Sequence, residues 1–107
     1  MERGDIFWVN LETTIGSEIK KRRPCVLIGA TPINQIRRTV IVIPLSSSLN
    51  ARPPLTVHVT CLGRKAIAVC DQIRAIDKKR LIKPAGKLST TELHTLEVAL
   101  TQVLALS

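Results

Sequence analysis

Lys20-Lys21-Arg22-Arg23-Pro24-Cys25-Val26-Leu27-Ile28 passes abruptly from dense positive charge to a continuous apolar run. Pro24 ends the cationic block, and Cys25 to Gly29 reads as a buried strand. Arg23 therefore stands at the mouth of a strand, where the core behind it holds the guanidinium in place. A guanidinium keeps its charge near neutral pH and offers planar, multi-donor recognition of phosphate oxygens. Upstream, Ile6 to Leu11 is another strand candidate, joined to the first by a polar loop from Glu12 to Arg22 hinged at Gly16. Downstream, Thr31-Pro32-Ile33-Asn34 reads as a turn or a single helical turn. Thr39 to Ile43 is a β-branched strand buried on both faces, which Pro44 ends or places at an edge.

Ser46 to Pro54 is a loop by composition. Leu55 to Thr60 alternates, with Leu55, Val57 and Val59 inward. Gly63 marks a turn into a strand from about Lys65 to Ile76, Asp77 to Arg80 a polar turn, and Gly86 to Leu88 a brief pairing. The one clear helix is the last segment. Ser89 with Glu92 fits a capping box, and Leu93, Leu96, Leu100, Val103 and Leu104 recur on one face as core packing or a dimer contact. Short strands, frequent turns and one terminal helix predict a mainly β fold, a small and strongly bent antiparallel barrel. At 107 residues the chain is a single domain, 1–107.

Sixteen Lys and Arg stand against eight Asp and Glu, a net charge of +8 that favours a polyanionic partner. The basic residues do not oppose an apolar face on one helix, which argues against a membrane surface. Aromatic content is 2%, Phe7 and Trp8 alone, so an aromatic base-stacking platform is not expected. Cys25, Cys61 and Cys70 are odd in number, lack CxxC spacing and have apolar neighbours, as expected of reduced, buried thiols in a cytoplasmic protein. The charged N-terminus does not read as a signal peptide, and Val40 to Leu45 is too short to span a membrane.

The pattern also excludes several chemistries. No metal-ligand spacing and no cofactor motif is visible, and neither a Gly-rich phosphate loop nor a suitably spaced carboxylate pair occurs. His58 and His94 read as surface residues. Arg, Lys and Ser on loops at strand ends are what is left, with Ser46-Ser47-Ser48 directly after a strand. Asp71 in a regular strand would share a face with Val69 and Ile73, an awkward place for a carboxylate that a bulge or polar partner would resolve.

Together these residues resemble a known family. Arg3-Gly4-Asp5-Ile6-Phe7-Trp8-Val9, Gly16-Ser17-Glu18, Arg23-Pro24, Pro44-Leu45-Ser46, and Asp71-Gln72-Ile73-Arg74-Ala75-Ile76-Asp77 with Lys79-Arg80-Leu81 are similar, in that order, to the MazF/PemK toxin endoribonucleases. The resemblance implies an SH3-like barrel that forms a homodimer and is silenced by a cognate antitoxin. It implies sequence-selective, ribosome-independent cleavage of single-stranded RNA, with messenger RNA the foremost target. The 2′-hydroxyl would be the nucleophile, leaving a 2′,3′-cyclic phosphate and a 5′-hydroxyl with no added metal. By that resemblance Arg23 is the catalytic arginine and Ser46 the catalytic hydroxyl. Glu18, Lys20, Lys21, Ser47, Asp71, Gln72 and Arg74 are expected RNA contacts. The PemK branch carries an Arg where Val69 stands and a His where Ser17 stands, so its acid–base scheme does not transfer whole.

Two alternatives stand beside this reading. One is a gyrase-binding toxin similar to CcdB, which acts through a C-terminal Trp-Gly-Ile, whereas this chain ends Ala105-Leu106-Ser107. The other is a basic barrel that binds RNA without cutting it, recognisable by salt-dependent affinity and no products.

Overall fold

The β-branched run beginning at Thr39 is the spine of the structure, a computed structural model that describes residues 1–11, 21–48 and 50–106. The strands are β1 (Asp5–Asn10), β2 (Arg22–Leu27), β3 (Thr39–Ser46), β4 (Thr56–Cys61), β5 (Arg64–Val69), β6 (Arg74–Asp77) and β7 (Leu81–Lys87). Two helices, α1 (Thr31–Ile36) and α2 (Thr90–Val103), complete the elements, with single 3-10 turns at Cys70–Gln72 and Lys78–Arg80.

β3 pairs with β2 along one edge, placing Cys25 opposite Pro44 and Leu27 opposite Val42. Its other edge is divided. Thr39 to Val42 pair with β6, whereas Leu45 and Ser46 pair with β5. Sharing one strand between two partners bends the sheet, and the strand order is β4-β5-β3-β2-β1-β7 with β6 on β3. The result is the expected antiparallel half-barrel with a C-terminal helix.

Pro44 neither ends β3 nor lies at an edge, contrary to the sequence reading. It stands inside the strand, where the second edge passes from β6 to β5, so the proline coincides with a break in that ladder. The expected strand from Lys65 to Ile76 is interrupted by the 3-10 turn at Cys70–Gln72. That turn lets Asp71 sit exposed instead of on an apolar face. Leu55 precedes β4 and is exposed, while Val57 and Val59 are buried as the alternation requires. β7 is a full strand where only a brief pairing was expected. The register shifts twice along its partner β1, which accommodates Pro84 and Gly86.

Alternation along β2 and β3 gives the sheet two buried faces. The inner face gathers Ile6, Val26, Ile43, Leu45, Val59 and Ala68 against Leu96, Ala99 and Leu100 of α2. The outer face gathers Val9, Leu11, Cys25, Leu27, Val40, Val42 and Ile76. The capping box of α2 is present, with Ser89 Oγ accepting from the Glu92 N–H at 3.1 Å and Glu92 Oε1 accepting from the Ser89 N–H at 3.3 Å. Leu104, expected on the helix stripe, is exposed beyond the end of the helix. α1 is fastened by Asn34, wholly buried, whose Nδ2 donates to the Gly29 carbonyl at 2.9 Å. A Cβ at Gly29 would lie 2.6 Å from Asn34 Oδ1, so only glycine fits there. At the N-terminus, Arg3 Nε donates to the Ile28 carbonyl at 3.0 Å and Nη1 pairs with Glu97 of α2 at 2.7 Å.

Candidate active site

The strands begin and end at two different mouths. At one, α2 packs on the inner core. At the other, β1, β2, β3 and the β4–β5 hairpin surround an open cleft of about 430 Å³. Arg22, Arg23, Arg64 and Lys65 line it, together with the hydroxyl residues Ser46 and Ser47. Trp8, Pro24, Leu45 and Leu62 supply apolar surface. No acidic residue is among the described lining residues. Low-dielectric walls carrying charge of one sign concentrate the field on an anion that enters.

Arg23 and Ser46 both line the cleft. The β2–β3 pairing runs from Leu27–Val42 to Cys25–Pro44, and Arg23 and Ser46 lie two residues beyond that last pair, on the faces that Cys25 and Pro44 occupy. The face is the outer one, because Arg23 alternates with Cys25 and Leu27 and pairs with Val9 of β1. Both residues thus stand on the rim between the cleft and the outer face. Ser46 Oγ accepts from the Ser48 N–H at 3.3 Å, which leaves its own O–H as a donor.

Arg74 pairs with Val42, four residues along β3 from Ser46 and on the same outer face. At ~3.3 Å per residue that is roughly 13 Å from Ser46. Both Arg23 and Arg74 act electrostatically on the buried Cys25 thiol between them. Asp71 and Gln72 occupy the corner turn before β6 and do not line the cleft. Lys21 is exposed in a left-handed conformation at the start of β2, φ 70°, its carbonyl accepting from the Leu11 N–H at 2.8 Å. Ser47 lines the cleft beside Ser46. Glu18 and Lys20, like Gly16 and Ser17, lie outside the described residues.

Sequence reasoning missed Trp8, Leu62, Arg64 and Lys65 as members of this constellation. The available signal was local: Arg64 and Lys65 follow the Leu62-Gly63 turn directly, so their charges sit at a hairpin end.

The thiols near the site are not poised for nucleophilic work. Burial pushes Cys25 from its ordinary 9.0 up to about 12, the nearby Arg74 and Arg23 only partly opposing the shift. Cys70 rises to about 11 through burial and the adjacent Asp71, and burial also raises Cys61. All three are free and buried. Among the described residues no group of three or more His, Cys, Asp or Glu could hold a metal ion, and no helix is long and apolar enough to cross a membrane.

Comparison with known proteins bears on this arrangement. The sequence pattern of the PemK-like, MazF-like toxins of type II toxin–antitoxin systems matches residues 2–104. The chain is 34% identical over 109 residues to endoribonuclease MazF9 of Mycobacterium tuberculosis, covering 94% of this chain and 92% of that one. It is 36% identical over 83 residues to endoribonuclease PemK of Escherichia coli, covering 74% of this chain and 62% of that one. The fold is similar to that of MazF from Deinococcus radiodurans, with a TM-score of 0.87 at 20% identity over 98% of this chain and 96% of the other. A mycobacterial endoribonuclease solved with its cognate antitoxin has a TM-score of 0.84 at 16% identity, covering 100% of this chain and 97% of that one.

Proposed function

Because the chain belongs to the PemK-like, MazF-like toxins of type II toxin–antitoxin systems, we propose that it is an endoribonuclease whose reacting phosphate sits at the Arg23–Ser46 rim. The observation that supports this reading is that the Arg23 guanidinium and the Ser46 hydroxyl, on adjacent strands, line one cationic cleft. In the proposed reaction a ribose 2′-oxygen attacks the adjacent phosphorus, forming the P–O2′ bond while the P–O5′ bond breaks. The 2′-hydroxyl proton is lost and one is delivered to the departing 5′-oxygen. The products are a 2′,3′-cyclic phosphate and a 5′-hydroxyl, with no added metal and no ribosome.

Negative charge grows on the non-bridging oxygens as the nucleophile closes. A preorganised guanidinium aimed there lowers the transition state more than the ground state, an effect of about 3 kcal/mol for one such donor. Arg23 performs this electrostatic work, since its very high pKa makes it a poor proton donor. Ser46, with Oγ held by the Ser48 N–H, directs its O–H at the phosphate. Arg74 and Lys21 extend positive charge along the strand, and Asp71, Gln72 and Ser47 contact RNA beside it. Glu18 and Lys20 join them in the proposal. Single-stranded messenger RNA, cut at short sequence motifs in the cytoplasm, is the proposed substrate. A symmetric homodimer lengthens the groove, and an acidic antitoxin segment closes it by mimicking phosphate charge.

Purified protein is expected to cut single-stranded RNA in the presence of a chelator, and sequencing of fragment ends should reveal 5′-hydroxyl termini at a short common motif. Arg23→Ala should slow cutting by roughly 100-fold or more with an unchanged melting temperature. Cutting by Arg23→Ala at the wild-type rate would overturn the assignment.

A further inference from the structure

Arg23 and Ser46 form one wall of the cleft, and the rest of its lining, Trp8, Leu62, Arg64 and Lys65, has no part in the chemistry proposed at that wall. We propose that this remaining part is a nucleotide pocket, taking one unstacked nucleotide of the same strand beside the scissile phosphate. The base would lie against Trp8 and Leu62 and the phosphate between Arg64 and Lys65. The inference rests on the nuclease reading and adds an adjoining subsite to it.

Size and lining support this. A volume of about 430 Å³ falls within the range of small-molecule sites, roughly 300–1,000 Å³. Trp8 is half-buried against the inner core with its remaining surface in the cleft. One aromatic face suffices for a single splayed base, whereas a stacking platform for several would need more. Arg22, Arg64 and Lys65 are exposed cations around the same opening.

The hairpin tip is a second, independent sign. Cys61 opposes Arg64, closing a two-residue turn in which Leu62 has φ 52° and Gly63 φ 75°. Positive φ at both central positions is the pattern of a type I′ turn, where Asn or Gly is the ordinary first residue. Leucine there is locally unfavourable, and this one is 64% exposed, so burial in the core does not explain it. An apolar side chain held in a disfavoured conformation at the lip of a cationic cleft is explained by what it touches there. Flanking cations on the strand that follows set the phosphate next to it.

The chain has a single tryptophan, so the pocket carries its own reporter. The test titrates a mixed-sequence, fully 2′-O-methylated RNA 12-mer, which lacks the nucleophile, while Trp8 fluorescence and binding are followed separately. Wild type should bind with a change in Trp8 emission, and Arg23→Ala should keep that change while losing cleavage of unmodified RNA. Arg64→Ala with Lys65→Ala should lose most of the change at equal oligonucleotide. The slope of log affinity against log salt should also flatten by about 1, as expected for one or two lost phosphate contacts. Leu62→Asn should raise the melting temperature by a few degrees and yet raise KM for RNA several-fold, a combination that a purely structural role would not give. Wild-type binding and cutting with unaltered Trp8 emission, or the double variant retaining the wild-type salt slope, would overturn the pocket while leaving the nuclease reading in place. A wild-type protein that neither binds nor cuts RNA would overturn both.

Discussion

The two mouths of the half-barrel are made from the same strands and differ in what fills them. At one, a Cβ at Gly4 would lie 3.4 Å from Leu93, and Leu96, Ala99 and Leu100 of α2 complete the inner core. At the other, Arg23, Ser46 and the β4–β5 hairpin line an open cleft whose described walls set cations beside Trp8, Pro24, Leu45 and Leu62. One mouth is closed by burial and carries the stability of the fold. The other is left open and cationic, and carries the proposed chemistry. A barrel this small keeps the two tasks on different parts of one sheet, α2 packing on the inner core while β1, β2, β3 and the β4–β5 hairpin line the cleft.

That division can be broken most severely at the closed end. Leu96→Ala removes a wholly buried side chain and should cost about 2–5 kcal/mol by chemical denaturation, with cleavage per folded molecule retained. Equal loss of activity and no loss of stability would dissolve the distinction. Alkaline pH probes the buried thiols behind the open mouth. Cys25 titrates near 12 in the folded chain against 9.0 in the ordinary thiol, so its contribution is intact below pH 9 and is lost as pH rises toward 12. Melting temperature should fall across that window, and Cys25→Ala should flatten the fall. The smallest effect is expected at the start of α2. Ser89→Ala breaks the capping box and should lower stability by about 1 kcal/mol, with RNA cleavage unchanged.

Much of the closed end was legible in the residues. The capping box and the leucine spacing announce α2, and the β-branched run announces β3, because propensity and pattern agree there. β7 was not legible: Leu81-Ile82-Lys83-Pro84-Ala85-Gly86-Lys87 contains both a proline and a glycine, and only the partner β1 makes it a strand. Pro44 misled for a related reason, since local chemistry says nothing about where a neighbouring ladder changes partner. At the open end, Arg23 could be singled out because it adjoins an apolar run, whereas Ser46 stood out from its serine neighbours only through the family resemblance. Trp8 joins them only through the pairing of β1 with β2, and Arg64 and Lys65 through the pairing of β5 with β3, neither of which the sequence displays.

The strap between Arg3 and Glu97 joins the first strand's approach to the last helix, while β1 finds its second neighbour only in β7. During synthesis the chain emerges N-terminus first, so β1 keeps a bare edge until its final quarter has been made. The sheet's complete strand order is therefore reachable only once β7 has left the ribosome.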